Sequence, residues 1–414
     1  MTASPDALVV AVLGPGRLGE THVAALARIR NRGLEVNGKR VAVLPALYGR
    51  NASRVAELAE RYGVERTSTT LHELIDAPDV TVVDNCLSNH LHFEPLMRAI
   101  ELKKHVFSEK PLTIELAEAV QLLGAARAAG VQHGVIQNMR FNTGPRRARG
   151  LVEDGLVGRV FSANVLFGYM VPRTVLNRPT WFYKKAEAGG GIVEDMMAHF
   201  FDLLRTLVGP IAAVYGVPGT AWQERREPDG TPFKVDVEDL ASVSIRFENG
   251  AVGNCFATWV RRKHEEVPTF QIDGEDGSLY FTLNRVWSQT QPETPLFRYD
   301  ARATQTDTLD DWRVVDVDPR DPFELQLQLF LEGVAAGRAT PGLPTWDDAV
   351  TNQRLIQAAY RSVLERREVS PEEISLGTSD GPGHNAPHTP ATQNTAGKLA
   401  SGELSSSRSQ PDGG

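Results

Sequence analysis

Cysteine is almost absent. Two occur in 414 residues, Cys86 and Cys255. Two thiols make no disulfide framework, and so few suit a reducing compartment. Long apolar runs are missing too. The apolar stretch Leu8 to Leu13 is too short for a signal core or a membrane span, and no basic segment precedes it. A soluble, cytoplasmic protein without a membrane partner is the expectation. Positive charge is not in excess: 44 Lys and Arg stand against 52 Asp and Glu, a net charge of −8. That argues against a nucleic-acid partner, which favours a basic surface. No closed set of His, Cys and carboxylates has metal-ligand spacing, His90 and His92 included, so no metal is expected. No internal repeat occurs. What is present is 41% hydrophobic content, enough for a substantial core, in a chain long enough for two domains.

The first part alternates short apolar runs with helical patterns. "LVVAVL" (8–13), "VAVLPALYG" (41–49), "VTVVDNC" (80–86), "HVFSE" (105–109) and "VQHGVIQNM" (131–139) read as strands, although Pro45 weakens the first half of the second. "ASRVAELAERYG" (52–63) reads as a helix ending at glycine. Such alternation predicts a doubly wound parallel sheet. Near residue 144 the pattern changes. Strand-like runs dominate, with Asn249-Gly250 as a hairpin signal, one helix at about 191–208, and two closing helices near 322–336 and 346–366. The expected organisation is a dinucleotide-binding α/β domain over 1–143, an α+β domain with a largely antiparallel open sheet over 144–376, and a disordered tail over 377–414.

"GPGRLG" (14–19) follows the first strand and opens a helix. There Gly14 permits the tight turn, Gly16 lets backbone approach a pyrophosphate, and Gly19 lets the helix pack on the strand. Arg17 and Leu18 complete the loop at the helix N-terminus, where anions are favoured. The bland alternative is a structural turn. An acid ending the second strand would hold a ribose 2′-hydroxyl; "LYGRN" (47–51) offers Gly49 and Arg50 instead. Arg50 can pair with a 2′-phosphate, which favours NADP, or can be a solvated arginine compatible with NAD as well. Glu109-Lys110-Pro111 then stands where a strand runs out, because proline cannot join a ladder. The C-terminal edge of such a sheet is the ligand side. Lys110 can serve a substrate oxygen there, or be a surface lysine on a turn.

"LSNHLHFEPLMRAIELKKHVFSEKPL" (87–112) resembles the glucose–fructose oxidoreductase, inositol dehydrogenase and MocA (Gfo/Idh/MocA) family. The family shows T-P-N-x-x-H, a helix, then E-K-P; Asn89, His92, Glu109, Lys110 and Pro111 match, while Leu87 and Ser88 replace Thr and Pro. "GGGIVEDMMAHFFDLLRTLVG" (189–209) matches D-x-G-x-H-x-x-D through Asp195, His199 and Asp202, with Met197 in place of glycine. The resemblance covers nearly the whole chain except the tail. It implies an NAD(P)-dependent oxidoreductase, with Ser88, Asn89, His92, Glu109 and Lys110 bordering the cofactor and the helix of Asp195 opposite Lys110. It also implies a homo-oligomer, a dimer or tetramer formed through the exposed face of the C-terminal sheet.

Asp195, His199 and Asp202 stand at i, i+4 and i+7 of one helix, so they share a face. An acid–histidine pair on such a face can merely satisfy itself. With the resemblance, the expected roles are His199 as general base, Lys110 on the reacting oxygen, Asp195 orienting either, and Asp202 behind them. Arg140 is read as a junction salt bridge or a substrate contact. Tyr183 and Lys184 reach the pocket or lie on the surface. Cys86 is a packing residue. A polar pocket from loops 171–188 and strands near 259–263 suits a carbohydrate, so a sugar, polyol or glycoside is the expected substrate. Freely exchanging dehydrogenation, hydride exchange between two sugars with retained cofactor, and redox-assisted glycoside cleavage all stay open. The rival reading is a cofactor-binding sensor or scaffold without turnover.

Overall fold

Apolar runs of five to seven residues have nowhere to go but a sheet covered on both faces. In the computed structural model Val10, Ala11, Val12 and Leu13 are all fully buried. The structure describes residues 6–175, 178–262, 268–295, 309 and 311–375; the stretch read as a tail, 377–414, lies outside them. The first sheet takes strands β1 (Ala7–Leu13), β2 (Leu34–Val36), β3 (Lys39–Tyr48), β4 (Arg66–Ser68), β5 (Val80–Asn85), β6 (His105–Ser108) and β7 (His133–Val135). Their order is β2-β3-β1-β5-β6-β7, with β4 also beside β3. All pairs are parallel except β2–β3. Helices α1 (Arg17–Arg32), α2 (Ala52–Tyr62), α3 (Leu71–Ile75), α4 (Phe93–Glu101) and α5 (Leu116–Ala129) join these strands.

One expectation needs correcting. A tight hairpin joins β2 to β3, turned by Asn37 and Gly38 at φ 53° and 76°. Pro45 does not weaken β3, which runs unbroken and pairs it with Val10. The reason is position. On its outer side β3 pairs with β2 up to Val41 and with β4 from Ala46, and Pro45 falls in the gap, where a missing N–H interrupts no ladder.

Short helices α6 (Asn138–Phe141) and α7 (Thr143–Glu153) lead to the second sheet. In chain order it comprises β8 (Val160–Gly168), helix α8 (Lys185–Ala188), helix α9 (Ala198–Leu207), β9 (Ile211–Gly219), a small ribbon β10 (Glu224–Arg226) and β11 (Pro232–Lys234), then β12 (Leu240–Phe247), β13 (Val252–Thr258), β14 (Thr269–Gly274), β15 (Gly277–Phe281), β16 (Val286–Thr290) and β17 (Arg313–Val315). The eight-stranded order is β17-β16-β15-β14-β8-β13-β12-β9, antiparallel except for β13–β8. The Asn249-Gly250 turn joins β12 to β13, with Gly250 at φ 87°. One face, with Val165, Val243, Cys255 and Phe270, is buried.

The closing helices α10 (Pro322–Ala336) and α11 (Trp346–Glu365) part company. Helix α11 covers β9. Helix α10 was expected to close the second domain, but it packs on α1 of the first sheet. The Phe330 ring lies tilted 4.8 Å from Phe107, Phe323 lies against His22, and Glu324 pairs with Arg28 at 2.5 Å and with Arg32. The apolar stripe of α10 thus belongs to the nucleotide-side core.

Candidate active site

The glycine loop has the shape its composition implies. Gly14 sits at φ 107°, and a β-carbon there would lie 2.7 Å from the Cys86 carbonyl oxygen. A β-carbon on Gly19 would lie 1.8 Å from the Gly14 carbonyl oxygen, so only glycine lets α1 rest on the loop. Gly16 differs: a β-carbon there would meet nothing within 4 Å. It caps the 16-residue helix α1 with no side-chain bond to the helix N–H groups. Gly16 and Arg17 are exposed and Leu18 is half-buried. Open space before unoccupied N–H groups is the cradle a pyrophosphate requires. The residues therefore fit a dinucleotide. At the end of β3, Arg50 is exposed and makes no ion pair among the described residues.

Lys110 stands where the sheet ends. β6 stops at Ser108, the Glu109 N–H still bonds the Asn85 carbonyl at 2.8 Å, and the Lys110–Pro111 peptide is cis. The Glu109 carboxylate accepts the Lys110 N–H at 3.2 Å. His92 is fully buried, its Nδ1 2.9 Å from the Pro111 carbonyl and its Nε2 3.0 Å from the Leu87 carbonyl. It fastens the Leu87 loop to the lysine loop. Ser88 and Asn89 are half-buried on that loop, and Asn89 Nδ2 donates to the Ala188 carbonyl at 2.9 Å.

Opposite lies the helix of the second motif. It opens with a π turn, Val193–Met197, before α9 continues. Each motif residue meets a different residue of the first domain. Lys110 Nζ donates to the Asp195 carboxylate at 2.8 Å and to its carbonyl at 2.7 Å. His199 Nδ1 lies 2.9 Å from Gln137 Oε1. Asp202 is forked by Arg140, which also reaches Asp348 at 3.0 Å, and Asn352 donates to Asp202 at 3.1 Å. The three residues do share a face, and the face is the domain junction. Asp195 and His199 do not satisfy each other. Arg140 and Asp202 form the junction salt bridge of the two readings open for Arg140.

Electrostatics follow from burial. Burial would raise the Asp195 carboxyl, but Lys110 and Arg178 outweigh it and hold it well below the usual range. Burial, aided by the Lys110 charge, pushes His199 down to about 3, so the imidazole is neutral at pH 7. The Nδ1–H donates to Gln137, which leaves Nε2 as the acceptor. Glu194 is pushed up to about 8 by burial and by the charge of Glu238.

Several residues escaped the sequence reading. His22 is wholly buried, with Nδ1 2.9 Å from Asp84 and Nε2 3.3 Å from Glu109. Burial would lower its pKa, but the Asp84 carboxylate raises it well above the ordinary value. It is an imidazolium clamped between two acids beneath the lysine loop. A polar residue on the buried face of α1 was the available signal. Cys86 makes His22 and Asp84 resemble a metal set, yet burial pushes its thiol up to about 12 and the acids already hold His22. Gln137 and Arg178 carried no signal of spacing. Tyr183 is not on the surface: it is wholly buried against Trp259 and under Arg225, whereas Lys184 is exposed. Of the expected pocket strand 259–263, Lys263 lies outside the described residues.

Comparison with known proteins agrees with this geometry. Residues 8–137 match the model of the oxidoreductase family with an NAD-binding Rossmann fold, and residues 146–280 match the GFO/IDH/MocA C-terminal domain. D-xylose dehydrogenase of Paenarthrobacter nicotinovorans is 31% identical over 352 residues, 82% of this chain and 90% of that one. Myo-inositol 2-dehydrogenase of Thermotoga maritima is 27% identical, over 88% of this chain and 99% of that one. A solved levoglucosan dehydrogenase in complex with NADH superposes with a TM-score of 0.75 at 26% identity, covering 88% of this chain and 99% of its own. With both domains matched in order and the likeness running almost end to end through a relative above 30% identity, the chain belongs to the Gfo/Idh/MocA family of NAD-binding oxidoreductases.

Proposed function

We propose that the protein moves hydride between a nicotinamide cofactor and a secondary hydroxyl or ketone of a sugar or polyol, with Lys110, His199 and Asp195 handling proton and charge. The observation that carries this is Lys110 Nζ, pinned by Asp195 at the ligand edge of the parallel sheet. An ammonium has three donors, and two go to Asp195. The third is free for a reacting oxygen and steadies alkoxide charge as it develops. His199, neutral and with Nε2 open, takes the hydroxyl proton in the oxidative direction. Gln137 fixes that tautomer. Asp195 holds the lysine, and Arg140 with Asp202 keeps the two domains in register. The nicotinamide, when bound, supplies the hydride chemistry.

Gly14, Gly16, Arg17, Leu18 and Gly19 would hold the pyrophosphate, with Ser88 and Asn89 along the rim. Glu109 and His92, both buried, support the lysine loop from below. Arg50, unpaired at the end of β3, favours NADP over NAD. The test is a fluorescence titration of cofactor-free protein with NADPH and NADH. NADPH should bind more tightly, and Arg50→Ala should weaken NADPH far more than NADH; equal losses would discard Arg50 as selector, and binding of neither would end the dehydrogenase reading. The open sheet face, with Val217 and Val252 55% and 56% exposed, is proposed to mate with a second copy. Two free cysteines, Cys86 and Cys255, suit the cytoplasm.

A further inference from the structure

One charged group beside Lys110 has no part in the reaction described above. The Arg178 guanidinium lies 4.6 Å from the Trp259 ring centroid and 4.8 Å from that of Phe182. It donates to the Tyr169 hydroxyl at 2.5 Å and stands 3.5 Å from Asp195 Oδ2, with its side chain 19% exposed. Two ring faces within 5 Å hold the guanidinium, so little freedom is lost when it binds. Yet Nη1 is buried and has no hydrogen-bond partner among the described residues. Two neighbours in the same aromatic box share that condition: the Tyr183 hydroxyl and Trp259 Nε1, both on wholly buried residues. Buried donors without partners are costly, and three together show that this box has more donors than acceptors of its own.

The charge count points the same way. Lys110 and Arg178 are two cations sharing the single carboxylate of Asp195. Glu194, pushed up to about 8, is largely protonated at pH 7, His199 is neutral, and burial keeps the Tyr169 and Tyr183 phenols protonated. Arg225 is answered by Asp239. Around Arg178 and Lys110, then, one carboxylate answers two cations, while the surplus negative charge of the Asp84–His22–Glu109 cluster lies behind the lysine loop.

We propose that Arg178 is a specificity-determining residue that fits this pocket to an anionic sugar, one carrying a carboxylate as an aldonate or uronate does. The carboxylate meets the accessible part of the guanidinium, whose side chain is 19% exposed, while the reacting hydroxyl meets Lys110. The contact to Asp195 is long enough for the guanidinium to bridge the two acids. A neutral sugar can accept a hydrogen bond there but brings no charge to the second cation on Asp195. This inference rests on the dehydrogenase reading, which places the reacting hydroxyl at Lys110.

The experiment compares matched pairs, D-glucose with D-glucuronate and D-galactose with D-galacturonate, by initial rates of nicotinamide reduction with NADP⁺ and NAD⁺. The acid members should have kcat/KM at least about tenfold higher, with an advantage that shrinks as salt is added. Arg178→Gln should raise KM for the acids by roughly tenfold to a hundredfold, the loss of one charge-assisted hydrogen bond. Arg178→Lys should keep part of the preference. NADPH binding, seated on the other domain, reports that each variant is folded. Turnover of the neutral members alone, or an acid preference that Arg178→Gln leaves intact, overturns the inference and spares the dehydrogenase. Reduction with no member of either pair, nor with any other sugar or polyol, removes the dehydrogenase reading and this one with it.

Discussion

Replacing Lys110 by methionine keeps the length of the side chain and removes its charge and donors. Nζ gives two hydrogen bonds to Asp195, at 2.7 and 2.8 Å, and the proposed mechanism assigns its remaining N–H to the substrate oxygen. Loss of an acid–base partner slows turnover by ~10²–10⁴-fold, or about 2.7–5.4 kcal/mol at 1.36 kcal/mol per decade. The stability loss should be smaller than the ~3–5 kcal/mol of a fully buried pair broken on one side. Asp195 keeps Arg178, and the two side chains are 13% and 16% exposed. The pH dependence carries the sharper signature. His199 sits at about 3 through burial and then through the Lys110 charge, so the substitution lets it climb. The acid limb of kcat/KM must then move to higher pH. Asp195 climbs as well, since burial raises it and Lys110 is the largest force opposing that. Its folded pKa lies below the unfolded value of about 3.9. Its contribution to stability is therefore present above that value and lost as pH falls through the folded pKa. In Lys110→Met acid unfolding should begin at higher pH. Nicotinamide absorbance read across pH, urea unfolding read across pH, and NADPH titration together decide the matter. A folded variant that binds NADPH and turns over within about tenfold of wild type would refute the mechanism. Lost turnover with an unmoved acid limb would separate Lys110 from His199.

Two glycines of one loop should behave oppositely. Gly16→Ala has open space for its methyl group, so stability should hold within ~1 kcal/mol while cofactor affinity falls by at least about tenfold. Gly19→Ala drives a β-carbon to 1.8 Å from a backbone oxygen and should cost ~1–3 kcal/mol or more in urea unfolding; the reverse pattern would mean that the cradle is only a turn. His22→Ala strips the cation from between Asp84 and Glu109 and should cost ~3–5 kcal/mol at neutral pH. Because the folded pKa of His22 is raised, its contribution is complete below the unfolded value of about 6.5 and is lost as pH rises through the folded one. Urea unfolding at rising alkaline pH should show wild type and variant converging; a constant gap would mean a packing role alone.

What could be read in the sequence divides by distance along the chain. The alternation of β1, α1 and β3, and the turn at Asn249-Gly250, express local rules of period and φ, and they place the sheet and its glycine loop. The motif residues Lys110, Asp195 and His199 were legible because their spacing resembles a family. Their partners were not. Lys110 meets Asp195 across 85 residues, Arg140 meets Asp202 across 62, and His22 meets Asp84 across 62. No periodicity encodes such pairings. The stripe on α10 says that one face is buried but does not name the sheet that buries it, so that helix was assigned to the wrong neighbour. The π turn at Val193–Met197 adds a residue to one helical turn without altering the apolar pattern. Arg178 lies in an irregular segment where period carries no information, yet it supplies the second cation on Asp195. Backbone pattern set the stage on which charges could meet, but only the folded chain fixed the count of charges at the lysine. The proposed preference for an acid rests on that pairing of two cations with one carboxylate.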